Sequence, residues 1–230
     1  MIKIYDLATK YPDVRFSPFV WRIKYALAHK RLEWEETPLH FTEMSRLPDP
    51  NVGLVPVLVD GSTVVHDSWS IAEYLDEAYP ERPLFKSAEA KAQCLLFKHW
   101  SERVWHPLVS KIGIMDFYDA QRDAEKTYFR ESREKRFQMT LEEWGGNSSE
   151  AREQLLKILE PVRQVIASFD FLGGDTPSFS DYIALGVMQW IRCGSRVEMF
   201  DKEDPINDYQ NRLLDLYDGL GRRGGRIGDH

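Results

Sequence analysis

Near Tyr79 the hydrophobic period of this 230-residue chain changes, and the change limits the architectures open to it. Before that point short β-branched and aromatic runs alternate with segments of helical period, and beyond it the period is helical almost throughout. Strands gathered at one end and helices at the other imply two units rather than one uniform layer. IKIYDL (Ile2 to Leu7) reads as a strand. A loop then ends in Ser17-Pro18, where Ser suits a helix cap and Pro the first helical position. In the helix that follows, Phe19, Ile23, Ala26 and Leu27 share a face, with Arg22 and Lys30 off it. WEETPL (Trp34 to Leu39) reads as a second strand. After an irregular stretch with Pro48 and Pro50, VPVLVD (Val55 to Asp60) and TVVH (Thr63 to His66) flank Gly61-Ser62 as a hairpin. Asp67-Ser68 opens a helix that keeps Ile71, Ala72 and Leu75 on one side.

A strand-helix-strand connection gives a parallel pair and the hairpin an antiparallel one, so the predicted sheet is mixed, four-stranded and covered by helices. This is the thioredoxin-like arrangement, assigned to residues 1–80. Tyr79-Pro80-Glu81-Arg82-Pro83 punctuates a linker placed at 81–86, and residues 87–230 form an all-α domain. Its period begins near Ser87, runs through Leu95, Trp100, Val104 and Leu108, and resumes at Leu155, Leu159, Val162 and Ile166. Ser178 to Asp181 is an acidic variant of the capping box and opens a further helix. The tail from Gly219 carries five of the fourteen glycines and is expected to fray.

Thirty basic against thirty-seven acidic residues leave a net charge of −7, which gives no drive toward nucleic acid or an anionic membrane. Cys94 and Cys193 lack the spacing of a metal site or a dithiol pair, so neither zinc nor another metal is expected. The N-terminal text lacks the basic start and apolar run of a secretory signal, and the expectation is a cytoplasmic protein with reduced thiols.

Three short motifs offer chemistry. Ser17 is sufficiently explained as a helix cap, yet a helix N-terminus also presents unpaired N–H groups and partial positive charge that favour an adjacent anion such as a thiolate. A hydrogen bond to a charged acceptor contributes roughly 1.5–3 kcal/mol. With the helix terminus it lowers a thiol pKa from about 8.5 by roughly one to three units, enough for ionisation near neutrality. No residue from Ala8 to Val20 is Cys, so the thiol belongs to a ligand. Val55-Pro56 is sufficiently explained as the start of a strand. Asp67-Ser68 is sufficiently explained as a cap, but a Ser hydroxyl with helix N–H groups also suits a carboxylate, and the Asp an amino group.

SPFVWRIKYAL, LVPVLVDG, DSWSIAEYLDEAYP and PSFSDYIAL resemble the glutathione transferase superfamily over nearly the whole chain. The resemblance implies a cis Val55-Pro56 bond whose neighbouring backbone groups pair with an extended peptide. It implies glutathione as cosubstrate, bound by Ser17, Val55, Pro56, Asp67 and Ser68, with Ser17 as the catalytic residue orienting the thiolate. FSPFVWRIKYALAHK, SREKRF and DLYDGLGR are similar to the bacterial β-aryl-etherase type and a related fungal class. That branch implies cleavage of lignin β-aryl ethers, the thiolate displacing an aryloxide from the carbon beside an aryl ketone. The usual superfamily packing places a hydrophobic site for the aromatic electrophile at Phe19, Trp105, Met115 and Tyr118; His106 is read as a packing residue. The resemblance also implies a homodimer. Arg122 to Arg136, with six basic and four acidic residues, reads as a solvated or interface-forming helix. Where the family places a Lys or Gln on the glycyl carboxylate, this chain has His40, Arg46 and Asn51, and that contact is unassigned. Competing readings are a general detoxifying transferase and a non-catalytic carrier of aromatic molecules. A thiol-disulfide exchanger would need Cys where Ser17 stands.

Overall fold

The computed structural model describes all residues, Met1–His230. Strands β1 (Ile2–Leu7), β2 (Trp34–Leu39), β3 (Val57–Asp60) and β4 (Thr63–His66) form one sheet in the order β2-β1-β3-β4. β1 runs parallel to β2 from Ile2↔Trp34 to Leu7↔Leu39, antiparallel to β3, and β3 is antiparallel to β4. The mixed sheet follows from the helical crossover α1 (Pro18–His29) and the tight β3–β4 turn, as the sequence leads one to expect. Helix α2 (Ser68–Ala78) completes this thioredoxin-like domain.

α1 is the central helix of the molecule rather than an amphipathic cover. Every residue from Val20 to Leu27 is buried, because the sheet lies on one side and a C-terminal helix on the other. This corrects the one-faced reading of α1. Arg22 and Lys30, placed off the buried face, are drawn inside and matched by carboxylates: Arg22 Nη1 lies 2.6 Å from Glu102, and Lys30 Nζ 2.7 Å from Asp76. Lys24 Nζ similarly sits 2.7 Å from the buried Asp6 of β1 and also meets Glu36 of β2. Charges taken from water this far are tolerated only when paired.

The connection between domains is docked. Asp76 accepts from the Leu84 and Phe85 N–H groups at 2.8 and 3.0 Å, and Lys30 donates to the carbonyls of Tyr79 and Arg82 at 2.7 and 3.2 Å. Beyond it run α3 (Ala88–Trp100), a π-helical turn (Ser101–Trp105), α4 (His106–Asp119), α5 (Asp123–Phe137), α6 (Leu141–Gly145), α7 (Ser148–Ile158), α8 (Glu160–Ile166), α9 (Phe179–Gly194) and α10 (Pro205–Gly219). α9 is apolar nearly all round and packs along α1. The helices meet at Gly186, where a Cβ would be driven into the Pro18 carbonyl oxygen. One continuous cluster of 45 buried hydrophobic residues links both domains, so neither is closed off from the other. No helix is long and apolar enough to cross a membrane.

The tail is a second correction, for it is packed and not frayed. Gln189 Nε2 donates to the Gly221 carbonyl at 2.9 Å, Ile227 is buried, and the His230 ring stacks on Tyr11 at 4.5 Å. Gly224 lies so close to the Trp21 ring that a side chain would collide with it, so here glycine permits close approach rather than flexibility.

Candidate active site

Between the sheet domain and the helices lies a cavity of about 800 Å³. Its sheet-side wall includes Ser17, Phe19, Val55, Pro56, Asp67 and Ser68, the six named from the sequence, beside others such as Phe16, Phe41 and His66 that were not.

Ser17 caps α1, its Oγ accepting from the Val20 N–H at 3.4 Å. Its hydroxyl proton goes to no acceptor in the chain, and the Phe19 N–H, second residue of the helix, has no acceptor either. Pro18 has no N–H to offer. The first turn of α1 therefore presents a free O–H and a free N–H at the positive end of a twelve-residue helix. The Val55-Pro56 bond is cis, and no hydrogen bond within the chain occupies the Val55 N–H or C=O.

Asp67 sits at φ 70°, in the left-handed region, and caps α2 by accepting from the Trp69 and Ser70 N–H groups at 2.9 and 3.1 Å, both on Oδ1. Oδ2 has no partner in the chain. The N–H and hydroxyl of Ser68 are also unbonded, although Ser68 is buried. One carboxylate oxygen thus holds the helix end together while the other is available to a cation beside donors that suit an anion.

Arg22 passes behind this wall, its guanidinium 4.7 Å from the Phe19 ring centre. Its Nε and Nη2 are buried without partners, and Glu102 closes its remaining nitrogen. Burial raises Glu102, but the bonds to Arg22 and Lys98 outweigh it and hold that carboxyl below the usual range. His106 lies edge-on between Phe19 and Trp190, with ring centres 6.1 and 5.6 Å away. Burial, reinforced by the Arg22 charge, pushes its pKa down to about 4, so the imidazole is neutral at pH 7 and supplies no proton as imidazolium.

The helical wall differs from the one read from the sequence. Trp105, Met115 and Tyr118 do not line the cavity; Phe19 alone of the four hydrophobic-site residues does. Trp105 is 1% exposed, its ring turned inward toward Trp100, 6.1 Å away. Met115 approaches Gly145, and the Tyr118 ring is covered by Lys126 and Arg130. The α4 residues on the cavity are His106, Pro107, Ser110, Ile114 and Phe117, a stripe at helical spacing that leaves residues 115 and 118 on other faces. Sequence reasoning also missed α5. Phe129, Arg133 and Phe137 line the cavity at i, i+4 and i+8, a spacing visible in the text but masked by the surrounding charges. α5 is held inward because Glu125 accepts from the Thr42 N–H and hydroxyl, both at 2.8 Å, which ties it to the sheet domain. One face of the helix read as solvated or interface-forming is thus a cavity wall. His40, Arg46 and Asn51 stand outside: the first caps a 3₁₀ turn (Phe41–Arg46), and the other two bond Glu43 and Asp49.

A sheet domain and a helical domain closing on a cavity with unpaired donors on one wall and aromatic rings on the other define a class of two-domain proteins that take a small ligand between them. Residues 12–83 match the family pattern described as glutathione S-transferase, N-terminal domain, and residues 92–205 match glutathione S-transferase, C-terminal domain. The chain belongs to the glutathione S-transferase superfamily. Among curated relatives, glutathione S-transferase Z1 of Arabidopsis thaliana is 41% identical over 68 residues, 27% of this chain and 31% of that protein, so the chain spans about a third of the relative's length. Among solved structures, glutathione transferase GSTFuA2 from Phanerochaete chrysosporium is 26% identical with a TM-score of 0.71, covering 97% of this chain and 94% of its own. A glutathione S-transferase of Ceriporiopsis subvermispora, solved in complex with glutathione, shares the fold with a TM-score of 0.76 at 21% identity, over 94% of this chain and 96% of its own.

Proposed function

We propose that this chain binds glutathione along the sheet-side wall and transfers its sulfur to an aromatic electrophile held against the helical wall. The observation that carries this reading is the set of unused hydrogen-bonding groups on one side of one cavity: the Ser17 hydroxyl and Phe19 N–H, the Val55 backbone, and Ser68 with Asp67 Oδ2. Their order suits the thiolate, the peptide backbone and the γ-glutamyl end of that tripeptide. The Ser17 hydroxyl and the α1 terminus lower the thiol pKa by their dipoles, with no proton transfer to a base.

In the reaction the sulfur lone pair forms a C–S bond while the leaving group departs with the electrons of its bond to carbon. Ether cleavage is the finer reading: an aryloxide leaves from the carbon beside an aryl ketone, and the phenoxide needs no strong acid. It rests on the etherase-like text and on the aromatic lining from Phe19, Phe117, Phe137, Trp144 and Trp190. A homodimer and a cytoplasmic setting belong to the same reading. The test is incubation with glutathione and an α-keto β-aryl ether dimer, following phenol release, beside a generic aromatic halide. Phenol release supports the etherase; reaction with the halide alone reduces the reading to a general transferase; calorimetric silence toward glutathione rejects it.

A further inference from the structure

The cavity contains two cations that the reaction above does not use. Arg133 of α5 has its guanidinium against two rings that meet each other edge to face, 4.5 Å from the centre of Phe41 and 4.4 Å from that of Phe129. Its one hydrogen bond within the chain runs from Nη1 to the Ser132 hydroxyl at 2.7 Å, and that hydroxyl is itself committed to the Phe129 carbonyl. It faces no carboxylate. Arg136, one turn further along α5, also lines the cavity and makes neither hydrogen bond nor ion pair. Arg15, Arg22 and Arg163, which are buried or half-buried, all sit 2.6 Å from an acidic oxygen, and the half-buried Arg192 is met by the Gly221 and Gly224 carbonyls. Three of the four acids of α5 are spent elsewhere, Asp123 on Lys126, Glu125 on Thr42 and Arg122, and Glu134 on Arg130, and the fourth, Glu131, is exposed and makes no ion pair with Arg133. Burial, with the neighbouring charge of Arg136, pushes the Arg133 pKa down to about 10, as expected for a cation without its counter-ion.

We propose that Arg133, assisted by Arg136, is a carboxylate-binding site in the cavity. The planar fork, packed against Phe41 and Phe129, offers N–H donors to a carboxylate in a geometry that costs little further ordering. An aromatic acid satisfies the site and its surroundings together, its ring against Phe137 or Trp144 and its carboxylate on the guanidinium. The same chemistry is carried by the glycyl carboxylate of glutathione, for which no other cation lines the cavity. The inference deepens the proposed function by naming an acid group as a determinant of what the site takes.

The test is titration of the intact protein with trans-cinnamate and methyl cinnamate, read by tryptophan fluorescence, and with glutathione and its glycyl monoethyl ester, read by calorimetry. Each is repeated on Arg133→Met, which keeps the packing against the rings, and on Arg133→Lys, which keeps the charge; thermal melts establish that both fold. The expected result is that the wild type prefers an acid to its ester by about tenfold to a hundredfold, the range of a charge-assisted hydrogen bond. Arg133→Met abolishes the preference, Arg133→Lys retains part of it, and ester binding stays within about twofold. Loss confined to the cinnamate pair assigns the site to the second substrate, and loss confined to the glutathione pair assigns it to the glycyl end. No preference in either pair, or a preference untouched by Arg133→Met, overturns the proposal. Absence of glutathione binding in the wild type counts against the transferase reading alone, since the cinnamate pair reads Arg133 without it.

Discussion

At the scale of single residues, the site depends on hydrogen-bond capacity left unspent. Ser17 satisfies the helix end with a lone pair and keeps its proton, which a cap read from sequence does not reveal. Replacement Ser17→Ala is expected to lower glutathione-dependent turnover by about one to two powers of ten, since a bond to a thiolate is worth roughly 1.5–3 kcal/mol. The thiol pKa in the binary complex, followed by thiolate absorbance, should rise; an unchanged value would assign the stabilisation to the backbone N–H. His106 supplies a pH dependence of opposite origin. Unfolded, its imidazole takes a proton near 6.5; folded, it refuses one until about 4. Between those values the unfolded chain binds more protons, so stability is full above about pH 6.5 and falls as pH drops toward 4, by up to about 3 kcal/mol. Urea midpoints at pH 7 and 4.5 should differ less in His106→Gln than in the wild type. That the caps Ser17 and Asp67 were legible in the text reflects their local nature, since caps are set by neighbouring residues, whereas the cis Val55-Pro56 bond was expected from the family resemblance and not from its local sequence. Arg133 was not legible, because a lone cation in a charged helix looks solvated until Phe41 is seen against it.

At the scale of elements, the start of α9 shows how a readable motif acquires weight from its surroundings. Ser178 and Asp181 form the expected capping box. Asp181 is also fully buried, and it accepts from the N–H groups of Leu172, Gly173 and Ser178 at 2.7, 3.0 and 2.9 Å and from the Tyr209 hydroxyl at 2.8 Å. The two partners are therefore unequal. Ser178→Ala should cost about 0.5–2 kcal/mol, the range for a lost cap, whereas Asp181→Ala leaves several buried donors unpaired and should cost about 3–5 kcal/mol. Chemical denaturation measures both, and glutathione affinity should be unchanged in whichever variant stays folded. Equal losses would show that the loop before α9 does not rely on the carboxylate. α5 is the contrary case: its charge pattern predicted a solvated or interface-forming helix, and the Thr42–Glu125 bonds turned its Phe129, Arg133 and Phe137 face into the cavity wall.

At the scale of the whole molecule, the cavity exists because α1 and α9 pack closely enough to hold the two domains in one relation. Gly186 is a point of close approach, and it faces the Pro18 carbonyl one residue from Ser17. Gly186→Ala should force the helices apart, costing about 1–3 kcal/mol as overpacking does. It should also weaken glutathione binding more than a distant substitution of equal cost, as calorimetry beside thermal melts would show. Sedimentation equilibrium would report whether the proposed dimer forms. The order of strands and helices, the mixed sheet and the capped helix starts at Ser17 and Asp67 follow from local periodicity and turn chemistry, and local interactions are written along the chain; the cis Val55-Pro56 bond was implied by the family resemblance. The burial of Arg22, Lys24 and Lys30, the docking of the glycine-rich tail and the helices that supply the aromatic wall depend on contacts between residues far apart in the text. Such contacts come into being only when the domains close on each other, which is why the residues facing the second substrate had to be found in the folded molecule.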